Sequence, residues 1–501
     1  MSRRRPVSPL AASRLRARLG GLALLAAAGP IFWSGAARAD GAFPNSLSIL
    51  TPAQLPNETL LATNFGLVMS FDHDQTWIWS CEQPLNSFAT LYQMGPPPLN
   101  RIYAVSPTSL ITTDDSSCTW NASASGAVDA FVDPTNPNRV LAVVAKSVDA
   151  GSIYTVVESA DAGATFPQLR YTAAAGDHIT GVEIAHSDPQ TVYLTLTSGT
   201  AYTPKVAVTG NGGTSWTLHD LSTTLPAGTY SIRLVSVDPT NPKTLILRVG
   251  SSAGEALAVS TDGGAAAATP LTFPGGVFTA FARMPSGSLI AGGVVGTTNV
   301  GYRSTNGGVS FSQLPAVPFT FKAMSARGTT LYAALDNMSD AFAIETSGDE
   351  GTTWQPLMRF NKDVDGGATG FIQAIQTCVM SFCQTDCETR SSADLFSEDV
   401  CSAAVMPSPI DGGGAGASPG TGTGGATGKG GATGQGGASG QGGATGAGGS
   451  KTTSDGGPPG AGGTSAGCGH CALGPEPTAG SLSLIALLGT MVFLGLRRPR
   501  R

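Results

Sequence analysis

The sequence predicts an all-β fold, a seven-bladed β-propeller, and three observations carry that prediction. A short motif recurs seven times, an Asp-Pro turn stands upstream of three copies, and short apolar runs flank both. The motif reads Ser/Thr-x-Asp/Asn-x-Gly-x-Thr/Ser-Trp/Phe. It occurs as SFDHDQTW (70–77), TDDSSCTW (113–120), SADAGATF (159–166), TGNGGTSW (209–216), STDGGAAA (260–267), STNGGVSF (304–311) and SGDEGTTW (347–354). Its anchors Asp72, Asp115, Asp161, Asn211, Asp262, Asn306 and Asp349 are separated by 43, 46, 50, 51, 44 and 43 residues, which is the length of one four-stranded blade.

The residue types in the motif suit a hairpin turn between the last two strands of a blade. Asp or Asn bonds the backbone N–H groups of its own turn, Ser or Thr adds a hydroxyl, Gly supplies positive φ, and the aromatic packs between blades. The Asp-Pro turns at Asp133-Pro134, Asp188-Pro189 and Asp238-Pro239 are each followed by an apolar run (140–144, 192–196, 244–249), as expected of a turn from a first strand into a second.

Together these residues resemble the BNR or Asp-box repeat family, over 40 to about 375. The resemblance implies a β-propeller, in a family that includes sialidases, xyloglucan-type glycosidases, sorting receptors and photosystem assembly factors. Copies one, two and five depart from the pattern: Asp74 and Ser117 stand where the other copies have Gly, and Ala267 replaces the aromatic, so looser turns are expected there.

Composition divides the rest of the chain. Of 501 residues 67 are Gly and the net charge is −6, but that sum hides an acidic body, with 15 basic against 31 acidic residues over 40–405, between two basic ends. An acidic body argues against a nucleic-acid partner. Residues 1–39 read as a signal peptide: seven Arg and no acid, an apolar run over 19–33, and Ala37-Arg38-Ala39 before a cleavage site. The propeller is assigned to 40–377 and a Cys-rich closing segment to 378–405. Residues 406–467 form a Gly/Ala/Thr-rich linker, expected to be disordered because it cannot bury enough surface to offset its ordering entropy; it holds 26 Gly from residue 412 on and four hexads of the GGATGQ type. Residues 468–501 combine Cys468-Gly469-His470-Cys471, a transmembrane helix over 479–496, and Arg497, Arg498, Arg500 and Arg501. This tail resembles the C-terminal sorting signal of myxobacterial surface proteins, which implies processing at Cys468 and contact with export and sorting machinery. The localisation expected is therefore exported, at the cell surface or outer envelope, tethered through the C-terminus.

Eight Cys in an exported chain read as disulfides before metal. Cys81, just after the first motif, is expected to bond Cys118, inside the second. Cys378, Cys383, Cys387 and Cys401 are expected to form two disulfides among themselves, with three connectivities open and zinc as the alternative.

No catalytic, cofactor-binding or metal-binding residue is assigned. A sialidase requires three arginines and an Arg-Ile-Pro element, and Arg101-Ile102-Tyr103 is the nearest match here, so each of the ten body arginines is read as solvated or stem-packed. His73, His178, His186 and His219 lack metal-ligand spacing. Calcium, held through Asp363 and Asp365 or Asp114 and Asp115, is the one cofactor weighed. The function read from these features is a binding module for an extracellular glycan or protein, with a sialidase-like glycoside hydrolase as the alternative. Its ligand face is expected on the blade-to-blade loops 86–99, 168–178 and 218–230, which carry Tyr92, Met94, Pro96, Pro97, Pro98, Tyr171 and Tyr230.

Overall fold

In the computed structural model the described residues are 45–82, 91–148, 151–361, 370–392, 398–401 and 403–404. The expected signal peptide, the Gly-rich linker, the tail with Cys468, and Asp363 and Asp365 lie outside them. Among the described residues no helix is long and apolar enough to cross a membrane.

The chain forms a β-propeller of four-stranded antiparallel meanders, spanning residues 46–80, 91–125, 127–172, 177–220, 229–274, 277–313 and 323–359. Five of these are separate sheets. The first and the last are joined into one ten-stranded sheet by the strand Gly370–Gln376, which runs parallel to both of their outermost strands, pairing Met358 with Gly370 on one side and Ile372 with Trp77 on the other.

The middle strands of a meander are packed on both faces against the neighbouring meanders, so they read as continuous apolar runs instead of alternating ones. Thr59–Thr63 and Gly66–Ser70 are buried at every residue. Outermost strands such as Thr217–Asp220 are largely exposed. Among the described residues the core is accordingly divided into seven clusters, each shared by two consecutive meanders. One of them joins the last meander to the first, with Ala323 and Ile344 packed among Leu61, Val68 and Trp77.

The disulfides correct the sequence expectation. Cys81 bonds Cys383, Cys118 bonds Cys378, and only Cys387–Cys401 is local. The reason is the segment after the bridging strand: the 3-10 turn Thr377–Val379 brings Cys378 to the second meander, and the helix Met380–Ser392 brings Cys383 to the first. Cys81 and Cys118 each find a partner there before they find each other. Both long bonds close loops of more than 250 residues, so each removes a large share of the unfolded chain's freedom. Replacing Cys81 and Cys383 together by Ser is expected to cost about 2–5 kcal/mol in denaturant unfolding, and replacing Cys387 and Cys401 less, because that loop is short. Non-reducing peptide mapping that recovered a Cys81–Cys118 peptide would refute the pairing.

Candidate functional site

Each motif turn connects the third and fourth strands of its meander and has one construction. The anchor carboxylate or amide accepts the backbone N–H four residues on: Thr76 by Asp72, Thr119 by Asp115, Thr165 by Asp161, Ser215 by Asn211, Ala266 by Asp262, Ser310 by Asn306 and Thr353 by Asp349, at 2.8–3.1 Å. The Ser or Thr that opens the motif accepts the N–H of its fifth residue at 2.8–3.2 Å. Between them, two consecutive residues sit at positive φ. Copies one, two and five keep all of these bonds, which corrects the expectation of looser turns.

The second left-handed residue faces the preceding meander. A Cβ built at Gly264 would lie 2.5 Å from Val206, and one at Gly163 3.1 Å from Tyr103. Where a side chain replaces that glycine, it bonds across the same interface. Asp74 accepts from Arg327 (2.7 Å) and Tyr332 (3.0 Å) of the last meander, and the Ser117 hydroxyl meets that of Ser80 at 2.8 Å. All seven anchors are therefore occupied in structural bonds. The hydrogen bonds of Thr165 and Ser159 hold the Asp161 carboxyl down at about 2.

Beside these turns a cleft of about 420 Å³ opens between the third and fourth meanders, lined by Asp133, Arg139, Glu158, Arg170, Gln190 and Asn211 among others. Its charges are spent on one another: Arg139 pairs with Asp133 (3.2 Å) and Glu158 (3.4 Å), and Arg170 with Glu158 (3.0 Å). The same holds elsewhere, so the arginines, read as solvated or stem-packed, are for the most part ion-paired. Arg101, Arg233, Arg248, Arg283, Arg303, Arg327 and Arg390 are also ion-paired, and Arg359 lies over the Phe342 ring at 4.8 Å. Arg101 grips Asp114 through two nitrogens, and Asp115 is a turn anchor. Among the described residues no group of three His, Cys, Asp or Glu is placed to hold a metal.

The opposite end of the third and fourth meanders carries a different surface. The third meander's hairpin, Val140–Val148 with Gly151–Ser159, is nine residues on each side, but its flanking strands stop pairing at Val144 and Thr155. Beyond that point it projects as a two-stranded ribbon with Val148 and Ile153 exposed. At its base Tyr154, His178 and Tyr202 form a row, with ring centroids 5.2 and 6.4 Å apart and His178 Nδ1 3.3 Å from the Tyr154 hydroxyl. Tyr202 is 47% exposed and held at φ +51°, a conformation that disfavours a bulky residue. On the three strands of the fourth meander around this row, the Lys205 ammonium donates to Ser198 and Ser198 donates to Asp177.

All three segments expected to form the ligand face are partly strand, which corrects them: in two, Gln168–Thr172 and Thr217–Asp220 are outermost strands, leaving 173–176 and 221–228 as connections. In the other segment, residues 86–90 lie outside the described residues and Leu91–Met94 is a first strand with Tyr92 buried. Tyr171 packs on Trp216, while Tyr230 is 52% exposed. Sequence reasoning missed Tyr154 and Tyr202; the one signal for Tyr202 is its place at the end of Gly199-Thr200-Ala201, in a turn.

Successive first strands are stitched by side chains that accept a backbone N–H from the next meander: Gln93 from Val132, Asp129 from Val182 (2.9 Å) and Glu183 from Val237 (2.7 Å). Burial pushes the Glu183 carboxyl up to about 8, and Glu58 and Glu345 up to about 7, from an ordinary 4.5.

No family model matches the chain, and no curated protein does. Solved structures similar to it include the GH74 enzyme of Niastella koreensis, 13% identical with a TM-score of 0.35, covering 62% of this chain and 65% of that one. YCF48 of Cyanidioschyzon merolae is 13% identical with a TM-score of 0.41, covering 61% and 95%. The GH74 xyloglucanase of Xanthomonas campestris is 13% identical with a TM-score of 0.33, covering 64% and 58%, so the chain matches less than two thirds of both GH74 enzymes.

The raised carboxyls set a pH dependence. Each binds its proton more tightly when folded, so stability is full below the unfolded value near 4.5 and falls as pH rises through 7 to 8. The slope is at most about 1.4 kcal/mol per pH unit per group. Glu183→Gln keeps an acceptor for Val237 and is expected to flatten this slope in unfolding curves measured between pH 5 and 8; an unchanged slope would exclude Glu183 as its source.

Proposed function

We propose that the chain is an exported, seven-bladed propeller of the Asp-box type, tethered to the cell surface through its C-terminus after processing at Cys468, and that it works as a glycan-binding module. The observation that carries this reading is the Tyr154–His178–Tyr202 row beneath the projecting hairpin. The exposed Tyr202 ring, backed by the half-buried His178 and Tyr154, offers apolar area at low entropic cost, which suits the apolar face of a sugar ring, and the Lys205–Ser198–Asp177 chain offers a hydroxyl partner nearby. Seven meanders sharing seven core clusters support the blade number. The paired charges of the cleft on the other end support binding in preference to hydrolysis, because hydrolysis requires an acid and a carboxylate directed at the substrate.

A glycan array probed with the purified protein tests the reading. Tyr202→Asn removes the ring yet suits the left-handed backbone, and it is expected to weaken binding to the recovered glycans by about tenfold or more with the melting temperature unchanged. Absence of glycan binding by the parent protein, or full binding by the variant, would overturn the proposal.

A further inference from the structure

A second, smaller cavity lies between the first and second meanders, on the end that carries the motif turns. Its walls are the apolar Phe71, Met94, Pro98, Leu99 and Ile102, and into it are set Glu58, Asn100, Asp114 and Ser116. The groups set into it offer carboxylate, amide and hydroxyl oxygens; no nitrogen heterocycle lines it, and its one sulfur is the Met94 thioether. Glu58 is 7% exposed, and among the described residues neither a hydrogen bond nor an ion pair reaches its carboxylate. Ser116 is 6% exposed and its Oγ, like Asn100 Oδ1, is buried with no partner. Buried oxygens left without partners cost on the order of 1–3 kcal/mol each, so the two of Asn100 and Ser116, set beside the unpaired Glu58 carboxylate at one cavity, call for a common occupant.

We propose that this cavity is a calcium site, with Glu58, Asn100 Oδ1 and Ser116 Oγ as its protein ligands and Asp114 supplying the lone pairs that Arg101 leaves free. Hard oxygen donors of mixed type, in no regular array, suit Ca²⁺, whereas Mg²⁺ demands near-ideal octahedral geometry and retains its waters. The room available, about 20 Å³ for the centre of a water-sized body, admits one small ion and not an organic ligand. The pair of carboxylates that the sequence suggested, Asp114 with Asp115, is not the donor set, because Asp115 gives one oxygen to the Thr119 N–H and the other to its hydroxyl. The local charge also sets the strength. Arg101 already neutralises Asp114, so Glu58 is the one uncompensated carboxylate, and a dissociation constant on the order of 10⁻⁴–10⁻³ M is expected.

The test is titration calorimetry of the chelator-treated full chain with CaCl₂, paired with melting curves in Ca²⁺, Mg²⁺ and NaCl of equal ionic strength. Expected are a calcium-specific rise in melting temperature, a loss of affinity of about tenfold or more in Glu58→Gln, and a smaller loss in Ser116→Gly. The glycine variant suits the positive φ of that position and removes only the hydroxyl, so its fold in chelator is expected to be intact. A melting temperature that Ca²⁺ moves no more than Mg²⁺ does, or a Glu58→Gln protein that binds calcium as the parent does, would overturn the site.

Discussion

Everything in this molecule depends on the contact between its last meander and its first. Each of the other six interfaces joins meanders adjacent in the chain, so the connection itself holds them near each other. The seventh has to bring together residues almost 300 positions apart: the Thr51 and Ser325 hydroxyls meet at 2.7 Å across it, and Arg327 reaches both the Asp74 carboxylate and the Glu58 carbonyl. The loop-closure entropy of that event is spent once, and three devices offset it: the shared core, the strand Gly370–Gln376 paired to both sides, and the covalent links from the segment that follows it.

Those links extend beyond the seam. Cys383 fastens the helix to the first meander, and Cys378, in the turn just before the helix, fastens the second, so the closure is spread over two interfaces. Inside the seam Arg390 lies over the Phe65 ring at 5.0 Å, and Phe65 meets Phe360 edge-on at 4.9 Å. The C-terminal segment is thus packed as core against meanders one and seven.

The repeat period and the turn chemistry were legible in the sequence because they are local: the anchor, its Ser or Thr and the residue four positions on lie within one turn, and each makes its bond without help from the rest of the fold. The second left-handed position was legible only in part. Gly at five copies marks a site with no room for a side chain, but nothing in the motif tells that Asp74 and Ser117 stand there as ligands of the neighbouring meander. The disulfide pairing was hidden for a simpler reason, since which Cys lies near which depends on where a helix of low amphipathicity docks after the ring has closed. The row of Tyr154, His178 and Tyr202 was equally hidden, being drawn from three strands or turns of two sheets. Glu58, Asn100 and Ser116 likewise come from two meanders, and each alone reads as an ordinary turn residue.

The strand Gly370–Gln376 has one more effect. An open sheet presents a row of unpaired peptide groups along its rim, a template on which another chain can add. By pairing with both outermost strands at the seam, this strand removes two such rims from the ring at once. Four of the other five are short, from Ser312–Gln313 with two residues to Asn121–Ser125 and Gln168–Thr172 with five. The fifth, Ala268–Pro274, is seven residues long, and it carries Pro270 and Pro274, which have no N–H to offer. The ring is in this way kept from growing by strand addition, even where copies meet at high local concentration.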